Sequence, residues 1–530
     1  MKWPLLAAHP TRLLEKLFLM AIKKSNSIHM KLHIKTLSQL FICGAILFSG
    51  SSCSDFLEEP DRSNFTIESY FTKPEHAESA VNSIYENLKT TTGGGFNGAP
   101  WMMLEFATGL ANTELGQAVN SIFIRNLVNN SDNSYGATYW TSHYRGIGNA
   151  NLSIAKIPGI TMDEAKKNKH LGEARFLRAY YYYNLVRIFG KVPLIVEPVE
   201  LNSPTLYPTP ATEEAVYNQI VEDLTIAETS GLPYTDVSGR VSLGAVKALL
   251  ADVYLTMAGF PLQKGAEYYQ KAAAKAGEVI QSNQFRLFES YDDLHKVATK
   301  NRGEHIFMVQ FTANIQPSNW QTSIIPYNQG ISAYSDETGA IFANKEFVES
   351  YEAGDKRTEE KQFYYKSYTL SSDRNRNIDL GGYYLYKHFD TDAHLSTTSS
   401  GLNWPLIRYA EVLLTYAEAA NEVTGASAEA FEAVNQVRRR AKLTDLSGLN
   451  QQQLREAIWR ERWHELSFEN KTWFDMARLR KAFNVTTRGF DDFVGHQFSY
   501  GPVLKERELL FPIPTAEIRN NKNLIQNLGY

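Results

Sequence analysis

Cysteine is almost absent from this 530-residue chain; Cys43 and Cys53 are the only two. So few thiols cannot form the disulfide framework that staples small secreted domains, so a folded body here must rest on its apolar core. The twelve histidines fall in no His/Cys cluster of zinc type. A basic excess is missing too: 54 Lys plus Arg against 58 Asp plus Glu leave a formal net charge of −4. That balance gives no basic stripe of the kind nucleic acid needs. Catalytic signatures are equally scarce. No serine sits in a Gly-x-Ser-x-Gly elbow. His464-Glu465-Leu466-Ser467-Phe468 lacks the second histidine of a helical zinc hydrolase, and Gly93-Gly94-Gly95 lacks the Lys-Ser/Thr of a phosphate loop. Glycoside hydrolysis needs two carboxylates facing each other across a cleft, and no pair is marked out. The chain is expected to be no enzyme and to need no cofactor, although scattered loop carbonyls and acids leave room for a structural calcium ion.

What is present begins at Met30, where the sequence reads MKLHIKTLSQLFICGAILFSGSSC. Lys31 and Lys35 precede an apolar run at residues 40–48, and Ser49, Gly50, Ser51 and Ser52 lead into Cys53. The run is far short of the ~20 residues that span a bilayer, and its flanks suit a cleaved export signal. Small residues before a lone cysteine resemble a lipobox, so Cys53 is the expected lipidation site and residues 1–52 the upstream extension and signal. Either translation starts at Met30 or the amino-terminal region is unusually long. Two acyl chains on one cysteine anchor stably where one does not. The acidic run Ser54-Asp55 and Glu58-Glu59 opens a polar tether over residues 53–70.

Beyond the tether, helical periodicity dominates. Apolar residues recur at three-and-four spacing over residues 74–88, 138–156, 163–188, 212–226, 243–257 and 266–280, then again over 408–421, 427–439, 451–468 and 473–479. Pairs of such helices joined by short links predict an all-α-dominated fold, a tetratricopeptide-like helix-pair scaffold in which each pair buries its face on the next. Two stretches break the pattern: a Gly-, Asn- and Thr-rich loop at residues 91–133, and residues 285–403, where short β-like runs alternate with polar loops. The expected division is a helical scaffold at 71–284 carrying the first loop, a looped, partly β ligand-binding insertion at 285–403, and a helical region with a carboxy-terminal strap at 404–530.

Six ordered blocks carry a resemblance. Gly172-Glu173-Ala174-Arg175-Phe176-Leu177-Arg178-Ala179-Tyr180 runs on to Phe189-Gly190; Arg408-Tyr409-Ala410-Glu411-Val412-Leu413-Leu414 runs on to Glu422. Then come Val434 to Ala441, Glu461-Arg462-Trp463-His464-Glu465, Trp473-Phe474-Asp475-Met476-Ala477-Arg478, and a close through Phe511-Pro512-Ile513-Pro514 to Tyr530. In that order they resemble the SusD/RagB family of nutrient-binding lipoproteins. The resemblance implies an outward-facing position on the outer membrane through a lipid anchor, and a SusC-like TonB-dependent barrel as partner. It also implies a glycan ligand, with peptide capture or a mainly structural lid as the rival readings.

Two sets of residues follow. Arg408, Glu411 and Glu418 fall at spacings that share one helix side, and Arg438, Glu461, Arg462, Glu465, Asp475 and Arg478 supply partners of both signs. They are read as a structural ion network, not as catalytic groups. Ligand contact is expected of the aromatic loops, because a sugar ring can lie on an indole or phenol face while its hydroxyls bond to amides. Trp101 and Trp320 are the expected platforms, with Phe96, Asn97, Asn319 and Tyr327 beside them. The competing reading for each ring is a packed core aromatic.

Overall fold

The computed structural model describes residues 70–530 apart from 93–98, 115–118, 201–202, 204–205, 333–336, 371 and 397–398. Ten helices form its frame: α1 Pro74–Glu86, α2 Ser134–Lys156, α3 Glu164–Phe189, α4 Glu213–Glu228, α5 Leu243–Ala258, α6 Ala266–Gln281, α7 Tyr409–Thr424, α8 Ala428–Arg440, α9 Gln451–Glu465 and α10 Thr472–Leu479. Their starts are chemically specified. The side chains of Asn133, Asp163, Thr212, Ser242 and Ser427 each accept a hydrogen bond from a first-turn amide, and Asn450 with Gln453 completes a capping box. The expected helix over 451–468 stops at Glu465, and Phe468 and Asn470 beyond it take left-handed backbone.

Each frame helix packs on its neighbours in the row, α1 on α2, α2 on α3, α3 on α4 and α5 on α6. The tyrosine run of α3 ties the row across. Tyr181 donates to the Ile84 carbonyl of α1 at 2.6 Å, and Tyr183 to the Asp252 carboxylate of α5 at 2.8 Å. Buried phenols are tolerable because each hydroxyl finds such a partner. The α2–α3 contact is close because position 146 is glycine: a Cβ there would lie 2.3 Å from the Tyr181 ring.

Helix α6 packs directly on α7, although 127 residues separate Gln281 from Tyr409 in the numbering. The segment between them is therefore an excursion from an otherwise continuous helical row. Its ends are fastened by an antiparallel ribbon, β2 (His305–Val309) on β6 (Trp404–Arg408), in a register that sets His305 opposite Arg408 and Val309 opposite Trp404. All five residues of each strand but Leu406 are buried, which is why the run from His305 reads as continuous apolar sequence rather than alternation.

Arg408 departs from the sequence reading. It is the last residue of β6 and the extended residue before α7, with φ −119° and ψ 155°, so it does not share a helix side with Glu411 and Glu418. Those two acids point to other partners: Glu411 to Lys471 at 2.7 Å and Glu418 to Arg478 at 2.5 Å.

Candidate functional site

The two irregular regions join in one sheet. Strand β1 (Ala111–Asn112), from the first loop, pairs antiparallel with β3 (Phe342–Ala343) from the excursion. Strand β3 pairs with β5 (Asn377–Leu385), and β5 with β4 (Tyr364–Thr369), giving the order β1-β3-β5-β4. A two-residue strand has little pairing energy of its own, so something behind the sheet has to hold it.

That support is aromatic. The Trp404 ring lies 4.8 Å from Trp101 and 5.3 Å from Trp320, and His388 stacks on it at 4.3 Å. Trp101 and Trp320 are both 0% exposed. Neither indole presents a face on which a ligand could lie, so the expectation of two platforms is corrected: these rings are the core of the looped face. The physical reason is the lack of long helices there. A looped subdomain has few regular apolar faces, and three indoles supply the area that would otherwise come from leucine stripes. Trp320 also donates its Nε1 proton to the His388 carbonyl at 3.3 Å, and the adjacent Gln321 amide reaches the same oxygen at 2.8 Å. The structure thus brings Trp101 and Trp320 together, through Trp404, beneath the surface rather than on it.

The surface itself is carried by the neighbouring turn. Tyr327 is 47% exposed, Asn328 and Gln329 are exposed beside it in sequence, and Asn319, at the start of the preceding helical turn, is exposed too. The turn is held from below by one carboxylate: Glu337 accepts the amide protons of Gln329 at 2.5 Å, Gly330 at 2.7 Å and Ser332 at 2.7 Å. Gly339 lets the chain pass close under it. Its φ is +55°, and a Cβ would meet the Tyr327 nitrogen at 3.0 Å and the Glu114 side chain at 2.1 Å. Glu114 in turn accepts from the Tyr384 hydroxyl of β5 at 2.7 Å, and its own amide donates to the Gly339 carbonyl at 3.0 Å. The result is an exposed phenol and two amides on a turn fixed at both ends. Phe96, Asn97 and Cys53 lie outside the described residues.

Under this face sits the ion network. Arg408 meets Glu469 at 2.7 Å, Glu465 at 3.1 Å and Glu304, while Arg440 reaches Glu304 and Glu465. Arg357 pairs with Asp355 at 2.7 Å, Glu461 at 2.6 Å and Glu465 at 3.2 Å, and Arg438 bridges Glu352 and Glu461. A second cluster joins Arg462 and Arg478 to Asp475 and Glu418. Every one of these guanidinium groups is buried or nearly so, and each is met by at least two carboxylates. Burial would raise the Glu469 carboxyl, but Arg408 and Lys387 overcome it and hold Glu469 below the usual range. Lys387, buried against Phe363 and the Ser467 carbonyl, falls to about 8, because loss of hydration outweighs its acidic neighbours. Glu105, in the short helix Met102–Phe106, is raised to about 7 by burial, with the Asn470 amide as its partner at 2.6 Å. Sequence reasoning missed Glu304, Asp355, Arg357, Lys387 and Arg440. Asp355 and Arg357 pair two positions apart, but the other partners of this set lie from 25 to more than 100 positions away, and only a charge inside an apolar run, such as Lys387 between Tyr386 and Phe389, could have signalled them.

Fold and site define a helix-pair scaffold that carries a looped face with an exposed ring-and-amide turn. Comparison with known proteins gives that class its family. Residues 310–530 match the model described as the SusD family, and residues 55–255 the model described as starch-binding associating with outer membrane. A SusD superfamily protein from Parabacteroides distasonis shares 39% identity and a TM-score of 0.84, covering 88% of this chain and 100% of that one. The SusD-like protein P2 of Formosa agariphila is 29% identical over 529 residues, 91% of this chain and 97% of its own. A laminarin-binding SusD-like protein has a TM-score of 0.70 at 25% identity, over 87% and 100% of the two chains. The chain belongs to the SusD family.

Proposed function

We propose that the protein captures a soluble glycan at the cell surface through the turn around Tyr327 and passes it to a SusC-like TonB-dependent barrel. The observation that carries the reading is the Tyr327 turn itself: an exposed phenol flanked by the Asn328 and Gln329 amides and held from beneath by Glu337. A sugar ring offers C–H groups to an aromatic face and hydroxyls to amides, so this is the chemistry the turn can serve without moving. Family membership and the likeness to a laminarin-binding relative support glycan as the ligand class and laminarin as the first glycan to try. Membrane attachment through acylated Cys53 belongs to the same proposal, and mass spectrometry of the amino-terminal peptide from cell envelopes tests it.

Affinity electrophoresis against a panel of soluble glycans, with a peptide digest as a separate arm, tests the binding reading. Retardation by at least one glycan is expected, and Tyr327→Ala is expected to weaken it by about tenfold or more, the effect of losing a central aromatic contact. Its unfolding free energy should stay within ~0.5 kcal/mol of the parent's, because the ring is exposed. Binding to peptides alone would turn the reading toward peptide capture. No retardation by any glycan, or an unchanged affinity in Tyr327→Ala, would remove the turn from the function.

A further inference from the structure

A cavity of about 190 Å³ opens far from the looped face in sequence, between the carboxy-terminal ends of α3 and α5, the start of α4, helix α10 and the carboxy-terminal strap. Four guanidinium groups line it, and three of them are committed. Arg187 is sandwiched 3.5 Å from the Tyr183 ring and 3.5 Å from the Phe474 ring, and donates to the Asn184 side chain. Arg478 is paired with Glu418 and Asp475, and Arg507 donates to the Gly529 and Asn129 carbonyls and pairs with Glu508. Arg480 is different. It is half-buried, lies 4.9 Å from the Phe260 ring, and forms no ion pair among the described residues.

The same cavity holds an acid in the complementary condition. Glu213, the first residue of α4, is partly buried and likewise forms no ion pair or side-chain hydrogen bond among the described residues. Arg480 and Glu213 act on each other electrostatically without forming an ion pair, and each also feels one further opposite charge, Lys191 on Glu213 and Glu506 on Arg480. Burial dominates both: it lowers the Arg480 guanidinium and raises the Glu213 carboxyl, and the opposite charges around each only partly offset it. Two half-buried charges of opposite sign across a cavity each lose hydration without gaining a partner. The rest of the wall is mixed: Phe260, Pro261, Phe474, Leu509 and Leu510 give it apolar surface, while Thr256, Asn527 and a second acid, the exposed Glu506, give it polar groups.

We infer that this cavity binds a small zwitterion, a free α-amino acid with an apolar side chain, its carboxylate on Arg480 and its ammonium group on Glu213. A planar guanidinium takes a carboxylate through two parallel N–H donors, and a carboxylate takes an ammonium group as a charge-assisted acceptor. Both uncommitted charges are then paired by one ligand, and its side chain lies against Phe260 and the two leucines. The volume is below the ~300–1,000 Å³ of sites for drug-sized molecules, which sets the ligand at the scale of one amino acid. A neutral monosaccharide would offer hydroxyls to both groups but no counter-charge to either. The inference stands apart from the glycan reading, since no residue is shared between the two sites.

Isothermal titration calorimetry of the purified chain with L-leucine and L-phenylalanine tests it. Leucine amide and N-acetyl-leucine each remove one of the two charges, and glucose serves as the neutral control. Dissociation constants on the order of 1 mM or tighter are expected for the zwitterions. Either blocked analogue, and either variant Arg480→Gln or Glu213→Gln, should weaken binding by about tenfold or more. Urea midpoints of the variants establish that they fold, and Phe260→Ala provides a third test should either charge variant fail. No heat with either amino acid, equal binding of the blocked analogues, undiminished binding in the variants, or a preference for glucose would each overturn the proposal.

Discussion

Where the excursion rejoins the helices, the buried guanidinium of Arg408 is met by three carboxylates, from Glu304, Glu465 and Glu469. Beneath the looped face, a few residues along the same chain, the buried interior around Trp404 consists of two further indoles and an imidazole. The frame is locked by charge and the face by aromatic area. The difference follows from what each region has to hold. Helices already satisfy their backbone and need only a fixed mutual register, which directional ion pairs with shared partners provide. Irregular loops need apolar area first, because they have no stripe of their own to bury.

The contrast can be broken most forcefully at Arg408. Arg408→Met leaves Glu304, Glu465 and Glu469 buried with fewer cations, and is expected to cost ~3–5 kcal/mol in urea unfolding. A loss below ~1 kcal/mol would mean the network contributes register and not stability. On the other side, Trp320→Ala removes a ring that is 0% exposed, and is expected to cost ~3–5 kcal/mol through the cavity it leaves. A Trp320→Ala protein that keeps its midpoint and loses glycan binding would return the indole to the role of a ligand platform.

A smaller effect of opposite sign is expected where the two regions meet. Glu105 has its pKa raised by burial from the ordinary 4.5 to about 7. The folded state therefore holds this proton more tightly than the unfolded chain does. The contribution is fully present below about pH 4.5 and is lost as pH rises through about 7. Glu105→Gln keeps an acceptor for the Asn470 amide and removes the charge. It should match the parent near pH 4 and exceed it by ~1–3 kcal/mol near pH 8, measured by urea denaturation at both values. A variant less stable than the parent at the higher pH would show that the carboxylate is compensated in place. The smallest change belongs to a single cap. Ser427→Ala deletes the acceptor for the Ala430 amide at the start of α8, and about 1 kcal/mol should be lost in the same assay, with no change in ligand affinity.

The frame was largely legible in the sequence, and the face was not. The helices over 163–188, 243–257 and 266–280 were readable within one or two residues because three-and-four spacing and caps such as Asp163 and Ser242 are local signals. Glu461, Arg462, Glu465, Asp475 and Arg478 could be named as ion-pairing residues from their closeness in sequence, but that they divide into two clusters, Glu461 and Glu465 in one and Arg462, Asp475 and Arg478 in the other, could not. Arg408 could be named but not placed, since the β6 ribbon that holds it pairs with a strand about 100 residues earlier. Arg357 and Glu304 gave no sign of joining it. The rings were misjudged for a related reason. Trp101 and Trp320 stand among amides and glycines, the composition of a binding loop, and nothing local reveals that Trp404 draws both beneath the surface.

Composition and periodicity alone determined that this chain builds paired helices around a looped excursion, because helix formation and capping depend on residues a few positions apart. Which aromatic rings face solvent, which charges find partners, and which two remain unpaired across a cavity were decided only by the tertiary structure. Those outcomes depend on contacts between segments a hundred or more residues apart, and no local pattern encodes where such segments meet.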